Sequence, residues 1–205
     1  MKFVDYEGER TFYINGIGNP GSGPTPEGIK MHKYYNFTNK GLIKDFKILG
    51  GHKNAKMFNG IDLKGVITTS IEMMNVYIYS RSLSQYILSN IKNYPLDKGE
   101  ELNIISYSGG GQIALNIAEQ LKGKIHFNNI VLIGSPVIQK DFSNIDKIYY
   151  LYGNNDRVVK HSNYLNIIKN DNQIKKINLG NLDHNDYFHN DHIFNVLETI
   201  GNCIN

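Results

Sequence analysis

Residues 102–121 read Leu102-Asn103-Ile104-Ile105-Ser106-Tyr107-Ser108-Gly109-Gly110-Gly111-Gln112-Ile113-Ala114-Leu115-Asn116-Ile117-Ala118-Glu119-Gln120-Leu121, and they decide the architecture. The first six are rich in apolar and β-branched side chains, which predicts a buried strand over 102–107. Ile113, Ala114, Ile117, Ala118 and Leu121 then recur at helical spacing, so a helix is expected over 111–121, ended by Gly123. Ser108 therefore stands between the end of a strand and the start of a helix. Small residues flank it two before (Ser106) and two after (Gly110). A turn that sharp would drive larger side chains at those positions into neighbouring backbone. Its product is a hydroxyl held above the sheet edge, over a helix N-terminus that offers free N–H groups and a positive dipole end.

The same alternation continues on both sides. Residues 12–14 predict a short strand that runs into the Gly/Pro-rich loop 15–24, and Thr25-Pro26-Glu27 has the form of a helix start. Residues 65–69 have strand character. Residues 71–93 predict a helix with Tyr86, Ile87 and Ile91 on one stripe, stopped by Pro95. Further strands are expected at 130–133, 147–152 and 174–179, with helices at 162–169 and 186–200. Near-continuous apolar strands, each followed by a helix, predict an α/β fold: a three-layer sandwich with a mostly parallel central sheet. In such sheets chemistry sits at the carboxyl ends of the strands.

Composition bounds the possibilities. The 205 residues suit one domain spanning 1–205, and 40% hydrophobic with 20% charged residues excludes disordered, collagenous and coiled-coil classes. The net charge of +3 is too small and too scattered to predict nucleic-acid binding; Lys160-His161 and Lys175-Lys176 read as solvated faces. A single cysteine, Cys203, rules out an internal disulfide and argues against a cysteine-based zinc site. The start lacks the apolar stretch of a secretory signal, and no run of 18 or more apolar residues predicts a transmembrane segment. Cytoplasmic is the default expectation; a mature secreted form or a piece of a larger protein would read the same.

Two further residues stand where Ser108 stands, at the carboxyl ends of strands. Asp156 lies in Gly153-Asn154-Asn155-Asp156-Arg157-Val158-Val159, after the strand at 147–152. His184 lies in Gly180-Asn181-Leu182-Asp183-His184-Asn185-Asp186-Tyr187, after the strand at 174–179 and before the last helix. A serine, a carboxylate and an imidazole are the parts of an activated oxygen nucleophile. Each also has a plainer role. Ser108 sits in what could be a Gly-rich turn capping a helix, and Asp156 suits a turn or a cap for the helix near Ser162. A phosphate cradle is disfavoured, because no G-x-x-x-x-G-K-[ST] or G-x-G-x-x-G follows the strand. His189 or His192 could stand in for His184; they are three apart, which on one helix face would be either a metal pair or solvated positions. Asp183 is an alternative acid.

The strand–Ser106-Tyr107-Ser108-Gly109-Gly110–helix unit resembles the nucleophile elbow of the α/β-hydrolase superfamily, with Ser106 where that family usually has glycine. The order serine, acid, histidine also matches. The resemblance covers roughly residues 11–20 and 100–200 and implies a minimal α/β-hydrolase fold, small and lipase- or esterase-like. It implies Ser108 as nucleophile, Asp156 as acid and His184 as base. It implies an oxyanion hole from the backbone N–H groups of Gly109 and of Ile17, the latter in Asn15-Gly16-Ile17-Gly18, which resembles the family's H-G-x-G loop with Asn15 in place of His. Gly134-Ser135-Pro136 also resembles lipase-like members and is expected to line the site; Ser135 lacks the elbow of a nucleophile.

The resemblance implies a serine hydrolase of carboxylic esters, with no cofactor or metal and a small-molecule or lipid ester as substrate. Thioesterase, acyltransferase and peptidase chemistry would use the same triad, and a non-catalytic α/β binding or assembly module is the alternative of another class. Residues 42–65 are expected to form a lid or flap near the site. Phe37, Phe46, Met57, Phe58, Met73 and Met74 could meet an acyl chain there, or could be core. The chain is short for the superfamily, so the sheet edge needs cover or pairing in a homodimer.

Overall fold

The computed structural model describes residues 9–14, 80–136, 142–161, 172–189 and 192–202. Five strands appear there: β1 (Glu9–Ile14), β2 (Glu101–Tyr107), β3 (Phe127–Ile133), β4 (Ile145–Tyr152) and β5 (Ile174–Asn178). The helices are α1 over 80–93, α2 (Gly110–Gln120), α3 (Arg157–His161) and α4 (His192–Asn202). The strands form one sheet in the order β1-β2-β3-β4-β5, and all four pairings are parallel.

The sequence explains why the middle strands are central. Ile104, Ile105, Ile130, Val131, Ile133 and Leu151 are all completely buried, so both faces of the sheet are covered, as continuous β-branched and apolar runs require. Each such side chain contributes roughly 1.5–3 kcal/mol of burial free energy. Alternate residues feed two cores. On one face Ile104, Ile130, Leu132 and Tyr150 meet Ile87 of α1, Ile113 and Ile117 of α2, and Val159 of α3. On the other, Ile105, Val131, Ile133 and Leu151 meet Ile193, Phe194 and Leu197 of α4, together with Tyr187 and Phe188. The architecture is a three-layer α/β sandwich. β5 borders the described sheet, and its exposed Lys175 and Lys176 suit an edge strand.

Several boundaries differ from expectation. Strands β1, β3 and β4 begin two or three residues earlier than their apolar runs suggest: Glu9, Arg10 and Thr11 still pair with β2, and Phe127 pairs with Ile145 ahead of the polar residues between. α3 follows Asp156 at once, where sequence suggests a loop. The last helix begins at His192 and not at 186, because residues 184–189 form a turn. The expected helix at 162–169, the strand at 65–69, the amino-terminal part of the helix expected over 71–93 and the lid at 42–65 lie outside the described residues. So do Phe37, Phe46, Met57, Phe58, Met73 and Met74. Among the described residues, no helix is long and apolar enough to cross a membrane.

Candidate active site

Ser108 directly follows β2, and its backbone has φ +52°, the left-handed region that non-glycine residues seldom occupy. It is the one non-glycine residue with positive φ among those described. The strain is held from both sides: Ser108 N–H donates to the Ile133 carbonyl (2.9 Å), and Gly111 N–H donates to the Ser108 carbonyl (3.0 Å). Gly109 caps α2, and no side chain supplies the cap. Tight packing beneath this turn explains Gly111. A Cβ on Gly111 would lie 2.4 Å from Ser135 Cβ. Ser106, where a glycine is usual in such a turn, is completely buried and donates its hydroxyl to the Val131 carbonyl at 3.0 Å. The extra polar atom is thereby satisfied within the sheet. Ser135 is buried too, with its hydroxyl on the Ile133 carbonyl.

Ser108 Oγ lies 2.9 Å from His184 Nε2, and His184 Nδ1 lies 3.0 Å from Asp156 Oδ2. These three residues come from the ends of β2, β4 and β5. His189 and His192 do not take this place. His189 is exposed in the 184–189 turn, where its ring meets Asp186 (3.3 Å), and His192 is the first residue of α4, so the two do not share one helix. Asp183 is exposed. Among the described residues, no group of three His, Cys, Asp or Glu could hold a metal ion.

Asp156 is completely buried, and a carboxylate there is tolerable only with its lone pairs occupied. Oδ1 accepts from the Val158 N–H (2.8 Å) and the Val159 N–H (3.2 Å), which caps α3. Oδ2 accepts from His184 and from the Tyr187 hydroxyl (2.7 Å). The cap and the contact with the imidazole are thus two uses of one carboxylate. Burial pushes its pKa up, but the hydrogen bonds from His184 and Tyr187, the charge of His184 and the Val159 amide outweigh burial and leave it below the usual carboxylate value. An ionised carboxylate can only accept, so His184 Nδ1 carries the proton. The Nε2 lone pair then faces the Ser108 hydroxyl.

Two tyrosines that sequence reasoning does not single out complete the surroundings. Tyr107 precedes Ser108; its ring stacks on the His184 ring, and its hydroxyl donates to the His184 carbonyl at 2.7 Å. Tyr187 is completely buried, donates to Asp156 and accepts from the Gly153 N–H at 2.8 Å. Burial, then the neighbouring carboxylate, pushes its phenol well above the usual tyrosine range, so it stays a donor. Gly134, with φ +52°, makes room for this pair: a Cβ there would meet Tyr187 Cε2 at 2.5 Å and Asp156 Oδ2 at 2.9 Å. The spacing His184-x-x-Tyr187 is the signal that could have found it, since a turn over four residues brings the two side chains back to one site.

Gly109 directly follows Ser108 at the start of α2. Ile17 and Asn15 lie outside the described residues. The described residues provide a strained, half-buried hydroxyl with an imidazole lone pair in hydrogen-bond reach and a buried carboxylate behind the imidazole.

No protein-family model matches the sequence, and no curated protein matches it. Solved structures do resemble it. An uncharacterized protein from Bacillus cereus superposes with a TM-score of 0.58 at 16% identity, covering 100% of this chain and 63% of that one. The chain thus spans less than two thirds of that protein's length. Alpha/beta hydrolase domain-containing protein 10 from mouse superposes with a TM-score of 0.51 at 11% identity, covering 98% of this chain and 90% of that one. The chain has the α/β-hydrolase fold.

Proposed function

We propose that the chain is a serine hydrolase of carboxylic esters, with Ser108 as nucleophile, His184 as general base and acid, and Asp156 as the group that orients and charge-balances the imidazole. The observation that carries this reading is the continuous hydrogen-bonded path from Ser108 Oγ through His184 to Asp156, at 2.9 and 3.0 Å. A non-catalytic module has no need of a strained serine beside an imidazole lone pair, and the short Ser108–His184 distance counts against it.

The chemistry follows from the geometry. Ser108 Oγ attacks the acyl carbon as its proton passes to His184 Nε2. The carbonyl oxygen takes up the negative charge, and the N–H groups of Gly109 and Ile17 are the proposed donors to it. Collapse breaks the bond from acyl carbon to alkoxy oxygen, and His184 returns its proton to the departing alkoxide. Water then attacks the acyl-enzyme and gives a proton to His184. Release of the acid returns that proton to Ser108. Asp156 stays ionised throughout and stabilises the imidazolium formed twice in each cycle. Esters come ahead of amides because an alkoxide departs with less assistance than an amide nitrogen. Thioester, amide and acyl-transfer chemistry would use the same residues, and the acyl pocket decides among them.

The test is hydrolysis of short p-nitrophenyl esters together with labelling by a fluorophosphonate probe. Wild type turns over the ester and carries the label on Ser108, whereas Ser108→Ala loses both, with turnover reduced about 10³-fold or more. A wild type that shows no turnover and takes no label would sink the reading. Parallel ester, thioester and amide substrates identify the acyl donor.

A further inference from the structure

Asp156 Oδ2 does not belong to His184 alone: Tyr187 donates to the same oxygen at 2.7 Å, closer than the 3.0 Å of His184 Nδ1. We propose that Tyr187 is a positioning residue that shares this oxygen with His184 and thereby sets how strongly Asp156 holds the imidazolium. The role rests on the proposed function above, because it tunes the base assigned there.

Three observations support a built arrangement. The Tyr187 hydroxyl is anchored on its far side by the Gly153 N–H, so it donates along one direction, into Asp156. Gly134 has no side chain where a Cβ would strike both Tyr187 and Asp156. Tyr187 is completely buried, so water does not compete for the bond. A donor on Oδ2 draws electron density away from the imidazole side of the carboxylate. It keeps Asp156 ionised, and it loosens the hold of the carboxylate on the imidazolium. A base that returns its proton in every cycle benefits from that loosening, because an imidazolium held too tightly protonates the leaving group poorly.

Other titratable or charged groups surround the pair. Tyr107 of β2 stacks on His184, Tyr150 of β4 acts on Tyr187, Asp183 and Asp186 share the turn with His184, and Arg157 and Lys160 lie on α3. All remain in a Tyr187→Phe variant, which removes one hydroxyl and keeps the ring.

The experiment is a pH titration of the His184 ring by NMR in wild type, in Tyr187→Phe and in protein carrying a difluorotyrosine at position 187. Removing the donor leaves more negative charge facing the imidazolium, so the His184 midpoint in Tyr187→Phe moves up relative to wild type. The difluorotyrosine is a stronger donor of nearly the same shape, and its midpoint moves down. The acid limb of fluorophosphonate labelling moves with the midpoint in both proteins. A lower melting temperature with an unmoved midpoint would leave Tyr187 a purely structural residue and overturn the proposal, as would shifts of the same sign in both variants. Should Tyr187→Phe fail to fold, the difluorotyrosine protein decides alone. The titration needs no turnover: an unlabelled wild type counts against the hydrolase reading, and an unmoved midpoint counts against Tyr187.

Discussion

Tyr107 and His184, 77 residues apart in sequence, meet twice: their rings stack with centroids 5.4 Å apart and planes at 21°, and the Tyr107 hydroxyl holds the His184 carbonyl at 2.7 Å. The residue before Ser108 thus fixes both the backbone and the ring of the imidazole that faces Ser108. The ring contact limits tilt, and the hydroxyl limits slide.

Separating these contacts gives the first expectation. Tyr107→Phe keeps the stack and loses one hydrogen bond of roughly 1 kcal/mol, so kcat on a p-nitrophenyl ester falls by about tenfold or less with KM little changed. Tyr107→Leu loses both contacts and falls further. Equal activity in the two variants would mean that the stack does nothing.

The backbone of Ser108 inverts the usual ranking of alanine and glycine. At φ +52° alanine is strained and glycine is not. Ser108→Gly is therefore expected to be more stable than Ser108→Ala by about 1 kcal/mol in urea unfolding, although both lack the proposed nucleophile. A more stable alanine variant would contradict the strained turn.

Gly134→Ala places a methyl against Tyr187 and Asp156 at a backbone angle unsuited to it. A loss of roughly 2 kcal/mol in stability is expected, with a fall in ester turnover from displacement of Asp156. Thermal unfolding and steady-state kinetics on the one variant measure both.

Asp156 has a carboxyl held below its ordinary value when folded, so it binds its proton more weakly there than in the unfolded chain. Its contribution to stability is present above the unfolded pKa, near 3.8, and is lost as pH falls through the lower folded value. Asp156→Asn removes that loss, so the decline in stability below about pH 4 becomes shallower. Ester turnover in the same variant falls by about 10⁴-fold, because an amide favours the wrong imidazole tautomer. Urea midpoints at acid and neutral pH, with kinetics at neutral pH, test both statements.

The three hydrogen-bonded residues are legible in the sequence because each follows a strand at its carboxyl end, where glycine-bearing turns announce themselves. The strands are legible for the same reason: Ile130-Val131-Leu132-Ile133 has no polar face and must be covered on both sides. α3 is not, since Val158 and Val159 are poor helix formers and the sequence suggests Asp156 as a cap only for a helix near Ser162, whereas its Oδ1 caps one that starts at Arg157. The start of α4 is not legible either, because Asp186 reads as a helical residue. In the structure it closes a local turn with Asp183 and His189, through the Asp183 N–H on its carboxylate at 2.9 Å. Tyr107 and Tyr187 read as core aromatics, and their hydroxyls acquire a role only when distant segments converge.

The double duty of Asp156 couples competence to completion. Its one oxygen secures the first turn after the fourth strand while the other steadies the imidazole, so fraying of that turn and slackening of the base are a single event. On the proposed reading, a chain in which this turn has come undone would be chemically quiet.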